Sequence, residues 1–154
     1  MGIKSFQGKR TATLTKPSQP ILVSDYMTKN LITFKEEQSI EEVIEMLIKN
    51  KISGGPVVNS QNELIGIISE GDCMKQISES RYYNLPMDQN NTVQKAMVKE
   101  VETIDGNMNI FDAANKFLES KRRRFPIVEN GKLVGQISQK DILKAALQMK
   151  GNSW

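Results

Sequence analysis

The sequence predicts an α+β fold made of two tandem β-α-β-β-α repeats packed about a pseudo-twofold axis. Three observations carry that prediction. Displaced by 70 residues, the chain matches itself at Val23 and Val93, Met27 and Met97, Thr33 and Thr103, Ile40 and Ile110, Pro56 and Pro126, and Val58 and Val128. At a displacement of 69 the match continues through Leu64 and Leu133, Gly66 and Gly135, Ile68 and Ile137, Ser69 and Ser138, and Asp72 and Asp141. The lost residue falls between Val58 and Leu64, where a hairpin turn absorbs it, so the matches read as a duplication. Both copies then repeat the same local signals, an amphipathic stripe and a pair of short apolar runs opened by proline.

The first copy spans residues 22–78, the second 93–149. Each opens with a short strand, Leu31-Ile32-Thr33-Phe34 and then Val101-Glu102-Thr103-Ile104. A helix follows. Ser39 with Glu42 three positions on makes a capping box, and Ile40, Val43, Ile44, Leu47 and Ile48 recur at helical spacing as a core stripe. In the second copy Asn109 caps, Asp112 enters the first turn, and Ile110, Ala113, Ala114, Phe117 and Leu118 repeat the stripe. Next come hairpins. Pro56-Val57-Val58 pairs with residues 64–68, and Phe125-Pro126-Ile127-Val128 with residues 133–137. Asn130-Gly131 tolerates the positive φ of a tight turn. Pro56 and Pro126 open their strands, where a missing amide is tolerated. Second helices start at Glu70 and Gln139. Between the copies, residues 79–92 are polar, with Pro86 and two adjacent Asn, and read as a linker. Tyr82 and Tyr83 within it could stack on a base or anchor the linker on the core.

Composition narrows the chemistry. The 154 residues include no His and one Cys, which excludes a His general base, a Ser-His-Asp triad, a Cys/His zinc cluster and an internal disulfide. No apolar run is long enough to span a membrane. Residues 1–21 hold Lys4, Lys9, Arg10 and Lys16 and no acid. They read as a mobile basic tail without a secretory signal, which makes the cytoplasm the expected compartment. The rest of the chain is close to neutral. An electrostatic footprint for nucleic acid should cover a face of the body, so nucleic acid is not the expected partner.

Val23-x-Asp25-x-Met27-Thr28, the proline-opened hairpins, the Gly66-Ile67-Ile68-Ser69-x-x-Asp72 run and the duplication together resemble a pair of CBS domains, the Bateman module. The resemblance covers about residues 22–149. It implies a stand-alone regulatory module rather than an enzyme. No cofactor is required. The expected ligand is an adenosine compound held between the copies: AMP, ADP or ATP, with S-adenosylmethionine or NAD as further members of the class. It also implies a homodimer formed through the amphipathic helices and a protein target that the sequence does not name. A ligand-free interaction scaffold is the alternative, and a nucleic-acid accessory a more distant one.

In family terms Asp72 and Asp141 accept from ribose hydroxyls, and Ser69 and Ser138 contact ribose or phosphate oxygens. The same Ser-x-x-Asp pattern is also a helix cap with an acid in the first turn, and the two roles are compatible. Arg123 and Arg124 stand before the second hairpin proline, where the resemblance implies phosphate contacts; the first copy has Ser53 and Gly54 there. By the resemblance, the adenine slot is expected around Ile32-Thr33 and Val101-Thr103, closed by Pro56-Val57 or by Pro126-Ile127. Glu102 takes the place that Ile32 holds in the first copy. Cys73 falls in the apolar phase of its helix and is expected to be an inert packing residue.

Overall fold

The computed structural model describes residues 20–82 and 91–151, so most of the basic tail, and residues 83–90 of the linker with Tyr83, lie outside the described residues. In the first repeat a one-turn helix α1 (Val23–Tyr26) precedes α2 (Ile40–Asn50), β1 (Gly54–Val58), β2 (Leu64–Ser69) and α3 (Glu70–Tyr82). The second repeats the order as α4 (Val93–Ala96), α5 (Ile110–Ser120), β3 (Arg124–Glu129), β4 (Lys132–Ser138) and α6 (Gln139–Gly151).

Local signals act as their chemistry requires. At α2 the Ser39 hydroxyl accepts from the Glu42 amide at 3.1 Å and the Glu42 carboxylate accepts from the Ser39 amide at 3.1 Å, which closes the capping box. Asn109 caps α5 by accepting from the Phe111 amide at 2.7 Å. Both helices end on a left-handed lysine, Lys51 and Lys121. Positive φ at Asn130 and Gly131 forms the tight turn between β3 and β4. Within the helical stripes Ile40, Val43 and Leu47, and Ile110, Ala113 and Phe117, are buried. Ile48 and Leu118 are not: they are 73% and 77% exposed, so the outer edge of each stripe faces away from the core.

The expected opening strands shrink to one bridging residue each. Phe34 pairs in parallel with Val57, and Ile104 with Ile127. The reason lies in how the repeats exchange their leading segments. Val23 packs in the core of the second repeat, with Ile104, Phe117, Phe125 and Ile137. Val93 and Met97 pack in the core of the first, with Phe34, Val43, Val57 and Ile68. Thr28 and Gln136 exchange backbone hydrogen bonds of 2.8 and 3.0 Å along β4, while Val98 and Ile67 exchange two of 2.9 Å along β2. The chain then crosses to its own hairpin between Thr28 and Phe34, and again between Val98 and Ile104. Five residues extended reach about 17 Å at most, so residues 29–33 are spent on the crossing and leave no ladder behind.

Gly66 and Gly135 permit this docking. A Cβ on Gly66 would lie 2.6 Å from Met97 Sδ and 2.9 Å from the Val98 carbonyl oxygen; one on Gly135 would lie 2.6 Å from Met27 Sδ and 3.0 Å from the Thr28 carbonyl oxygen. Met27, Met97, Gly66 and Gly135 are therefore one device used twice. Gly66→Ala is expected to destabilise the fold by about 1–3 kcal/mol, because a backbone carbonyl cannot swing aside as a side chain can. Gly71→Ala, whose new Cβ meets nothing closer than 3.7 Å, should be near neutral or stabilising by a few tenths. Urea unfolding of both variants checks the difference.

Candidate functional site between the repeats

The loops entering β1 and β3 are each held by the start of their repeat's last helix. The Glu70 amide donates to the Ser53 carbonyl at 2.9 Å, and the Gln139 amide donates to the Arg123 carbonyl at 3.2 Å. This brings the residues before each hairpin beside the Ser-x-x-Asp start of the helix in the same repeat. Across the repeats, Arg124 Nη2 donates to Ser53 Oγ at 2.7 Å. Farther along the hairpins, Asn62 and Leu133 exchange hydrogen bonds of 2.9 and 3.0 Å, and Lys132 Nζ donates to the Gln61 carbonyl at 2.8 Å.

A cavity of about 330 Å³ opens where the two entry loops meet, lined by both repeats. The second repeat contributes Lys121, Arg122, Arg123, Arg124 and Gln136, and the first contributes Ser53, Gly54, Gly55, Ile67 and Ser69. Three pairs of these are duplicates of one another: Ser53 with Arg123, Gly54 with Arg124, and Ile67 with Gln136. The cavity thus sits on the pseudo-twofold axis, with opposite sides of different chemistry.

Of the residues expected to bind, Ser69, Arg123 and Arg124 line this cavity. Ile32 lies against it at second hand, since its carbonyl oxygen would be 2.9 Å from a Cβ on Gly55. Thr33 and Thr103, both half-buried, stand in the crossings. Pro56 and Pro126 are buried in their strands, and Val57 is fully buried in the first core, so these side chains pack rather than face the opening. Asp72 and Asp141 make the cap. Asp72 Oδ2 accepts from the Ser69 amide at 2.9 Å and from Ser69 Oγ at 3.0 Å, while the Asp72 amide donates back to Ser69 Oγ at 3.4 Å. Asp141 and Ser138 repeat the box at 2.8, 3.0 and 3.3 Å. Oδ1 of each aspartate takes no part in it.

Sequence reasoning missed Lys121, Ile67 and Gln136 as cavity residues. Ile67 and Gln136 alternate away from the core along β2 and β4, so strand periodicity could have found them. Glu102 plays a part of its own. It pairs with Lys116 at 2.9 Å and with Arg122 at 3.1 Å, and these two hydrogen-bonding cations hold its carboxyl below the usual carboxylate range. Among the described residues Lys121, Arg123 and Arg124 form no salt bridge. Nor does any group of three or more His, Cys, Asp or Glu there have the arrangement to hold a metal ion.

The CBS-domain family model matches residues 23–79 and again 93–148. The chain belongs to the CBS-domain family. It is 30% identical over 132 residues to the uncharacterized protein MJ1225 of Methanocaldococcus jannaschii, covering 86% of this chain and 44% of that one. With CBSX2 of Arabidopsis thaliana, a chloroplastic CBS domain-containing protein, it shares 31% identity over 153 residues, covering 83% of this chain and 64% of that one. The chain thus spans between two-fifths and two-thirds of the length of these relatives. The crystal structure of CBSX2 in complex with AMP matches with a TM-score of 0.74 at 30% identity, over 84% of this chain and 98% of that one. The CBS pair of protein MJ0100, solved with 5′-methylthioadenosine and S-adenosylmethionine, matches with a TM-score of 0.70 at 25% identity, over 85% and 99%.

Cys73 lies beside this CBS site but not in it. It is 3% exposed, and burial first, then the nearby Asp72 and Glu70 carboxylates, push its thiol above the ordinary value. The folded chain should therefore react with a thiol reagent at pH 7 at least about tenfold more slowly than the chain in denaturant. Its contribution to stability is full below the unfolded thiol's pKa and is lost as pH rises through the raised folded value. Labelling rates in the presence and absence of denaturant test this.

Proposed function

We propose that this CBS pair is a regulatory module, not an enzyme, that binds an adenosine nucleotide between its repeats and reports it to a partner. The observation that carries the reading is the axial cavity, in which Arg123 and Arg124 face Ser53, Gly54 and Ser69 across the joint between repeats. Arg123 and Arg124 serve the phosphates. Oδ1 of Asp72 or Asp141 is left to accept from ribose hydroxyls, because the capping box uses Oδ2. The adenosine ligands in the CBSX2 and MJ0100 structures support the ligand class.

Thermal melting of the full chain with AMP, ADP, ATP, S-adenosylmethionine, NAD and single-stranded RNA tests it. A ligand at a hundredfold over its dissociation constant should stabilise by about 2.7 kcal/mol. Arg124→Ala and Asp72→Asn should each reduce that shift while the fold survives. Loss of a guanidinium–phosphate contact costs about 1.5–3 kcal/mol of binding. No shift with any adenosine ligand would reject the nucleotide reading in favour of the interaction scaffold, and a shift with RNA alone would favour the nucleic-acid accessory.

We also propose that two copies pair through their helices. Ile48 and Met74 on α2 and α3 match Leu118 and Leu143 on α5 and α6, and all four are more than three-fifths exposed, with Leu147 beside them in the sequence of α6 at 71%. A repeated apolar face suits an isologous contact. Leu118→Glu with Leu147→Glu should convert a dimer to a monomer in sedimentation equilibrium. A wild-type chain that is monomeric at tens of micromolar would overturn the pairing.

A further inference from the structure

We infer that the axial cavity selects a polyphosphate chain, so that this module prefers nucleoside di- and triphosphates to the monophosphate; the inference rests on the nucleotide reading above. Among the described residues four with cationic side chains line the cavity, and none with a carboxylate does. Among the described residues one of the four has a carboxylate partner: Arg122 pairs with Glu102, which Lys116 also holds. Arg124 donates to a neutral partner, Ser53 Oγ at 2.7 Å, so its charge is not cancelled. Lys121, Arg123 and Arg124 therefore bring three formal positive charges to one small opening, where the other lining residues apart from the paired Arg122 are uncharged.

A single phosphate monoester, with a charge of roughly −1.5 to −2, leaves three cations incompletely balanced. A triphosphate supplies more charge in a chain that passes from one cation to the next. The asymmetry about the axis fixes the outcome further. The second repeat supplies Arg123, Arg124 and Gln136 where the first has Ser53, Gly54 and Ile67, so one polyphosphate can be clamped from one side only. A second clamp of the same kind is barred at Gly54, where a Cβ would lie 2.7 Å from the Ile68 carbonyl oxygen. The cavity accordingly takes one polyphosphate chain per protein chain.

Isothermal titration of the full chain with adenosine, AMP, ATP and inorganic tripolyphosphate, without divalent cations, tests this. ATP should bind about tenfold or more tightly than AMP, since each added charge-assisted contact is worth roughly that factor. Tripolyphosphate alone should bind and compete with ATP at one equivalent per chain, and its affinity should fall steeply with added salt. Arg123→Gln, an exposed position, should reduce the preference of ATP over AMP more than it reduces AMP binding. Equal affinity for AMP and ATP would overturn the polyphosphate selection and leave the nucleotide reading standing. Binding of tripolyphosphate without any discrimination between ATP and tripolyphosphate would support the cavity and overturn the adenosine part. No binding of either would overturn both.

Discussion

The structure depends on a close contact made twice: a methionine and the strand after it laid against a glycine in the other repeat's hairpin. Met97 and Val98 lie over Gly66, and Met27 and Thr28 over Gly135. Because these contacts hold the leading segments, each core contains residues that the chain order assigns to the other copy. Val23 and Val93 are fully buried in this way. Each contributes roughly 1.5–3 kcal/mol if buried from full exposure, a large share of what a unit of this size can spare. A single repeat cut from the chain would leave its core open at the site of the missing valine. The duplication is therefore a requirement of the packing.

The same exchange creates the cavity. A chain that must leave one hairpin and join the other crosses the space between them, and it does so twice. Ile32 in the first crossing abuts Gly55, and Glu102 in the second holds Arg122, so each crossing touches one side of the opening. The scaffold positions have stayed alike in the two copies, as Gly66 and Gly135, or Asp72 and Asp141, attest. Most positions that line the opening have not, Ser69 and Lys121 being the exceptions, and it is there that Ser53 has Arg123 as its duplicate. Shared scaffold with divergent lining is the pattern expected when the two copies do different work at one site.

Much of this was legible in the sequence. The duplication, the capping box at Ser39, the turn at Asn130-Gly131 and both Ser-x-x-Asp helix starts follow from spacing and side-chain chemistry, because each depends on residues a few positions apart. The exchange was not legible. Val23 reads as the start of the first copy whichever core receives it, since a duplicated chain offers two equivalent partners and periodicity does not choose between them. The opening strands were overestimated for the same reason: an apolar run of four residues is equally suited to a strand and to a crossing. At the site, Arg123 and Arg124 were visible by charge, whereas the full burial of Val57 in the first core was not, because an apolar strand residue reads the same whether it packs or lines a slot.

A regulatory module needs two shapes that bind the ligand unequally, and the joint between repeats indicates where such a difference could arise. One end of the hairpin contact rests on the backbone of Asn62 and Leu133, reinforced by the Asn62 amide and by Lys132. The entry-loop end rests on Arg124 and Ser53, a bond between side chains in which the donor also lines the cavity. An anion that draws the Arg124 guanidinium to itself competes with Ser53 for the same donor. The backbone end has no stake in that competition. Ligand free energy can therefore be exchanged for inter-repeat contact at the entry loops while the turn end stays fixed, and the amount exchanged is bounded by the net worth of one charged hydrogen bond, about 1.5–3 kcal/mol.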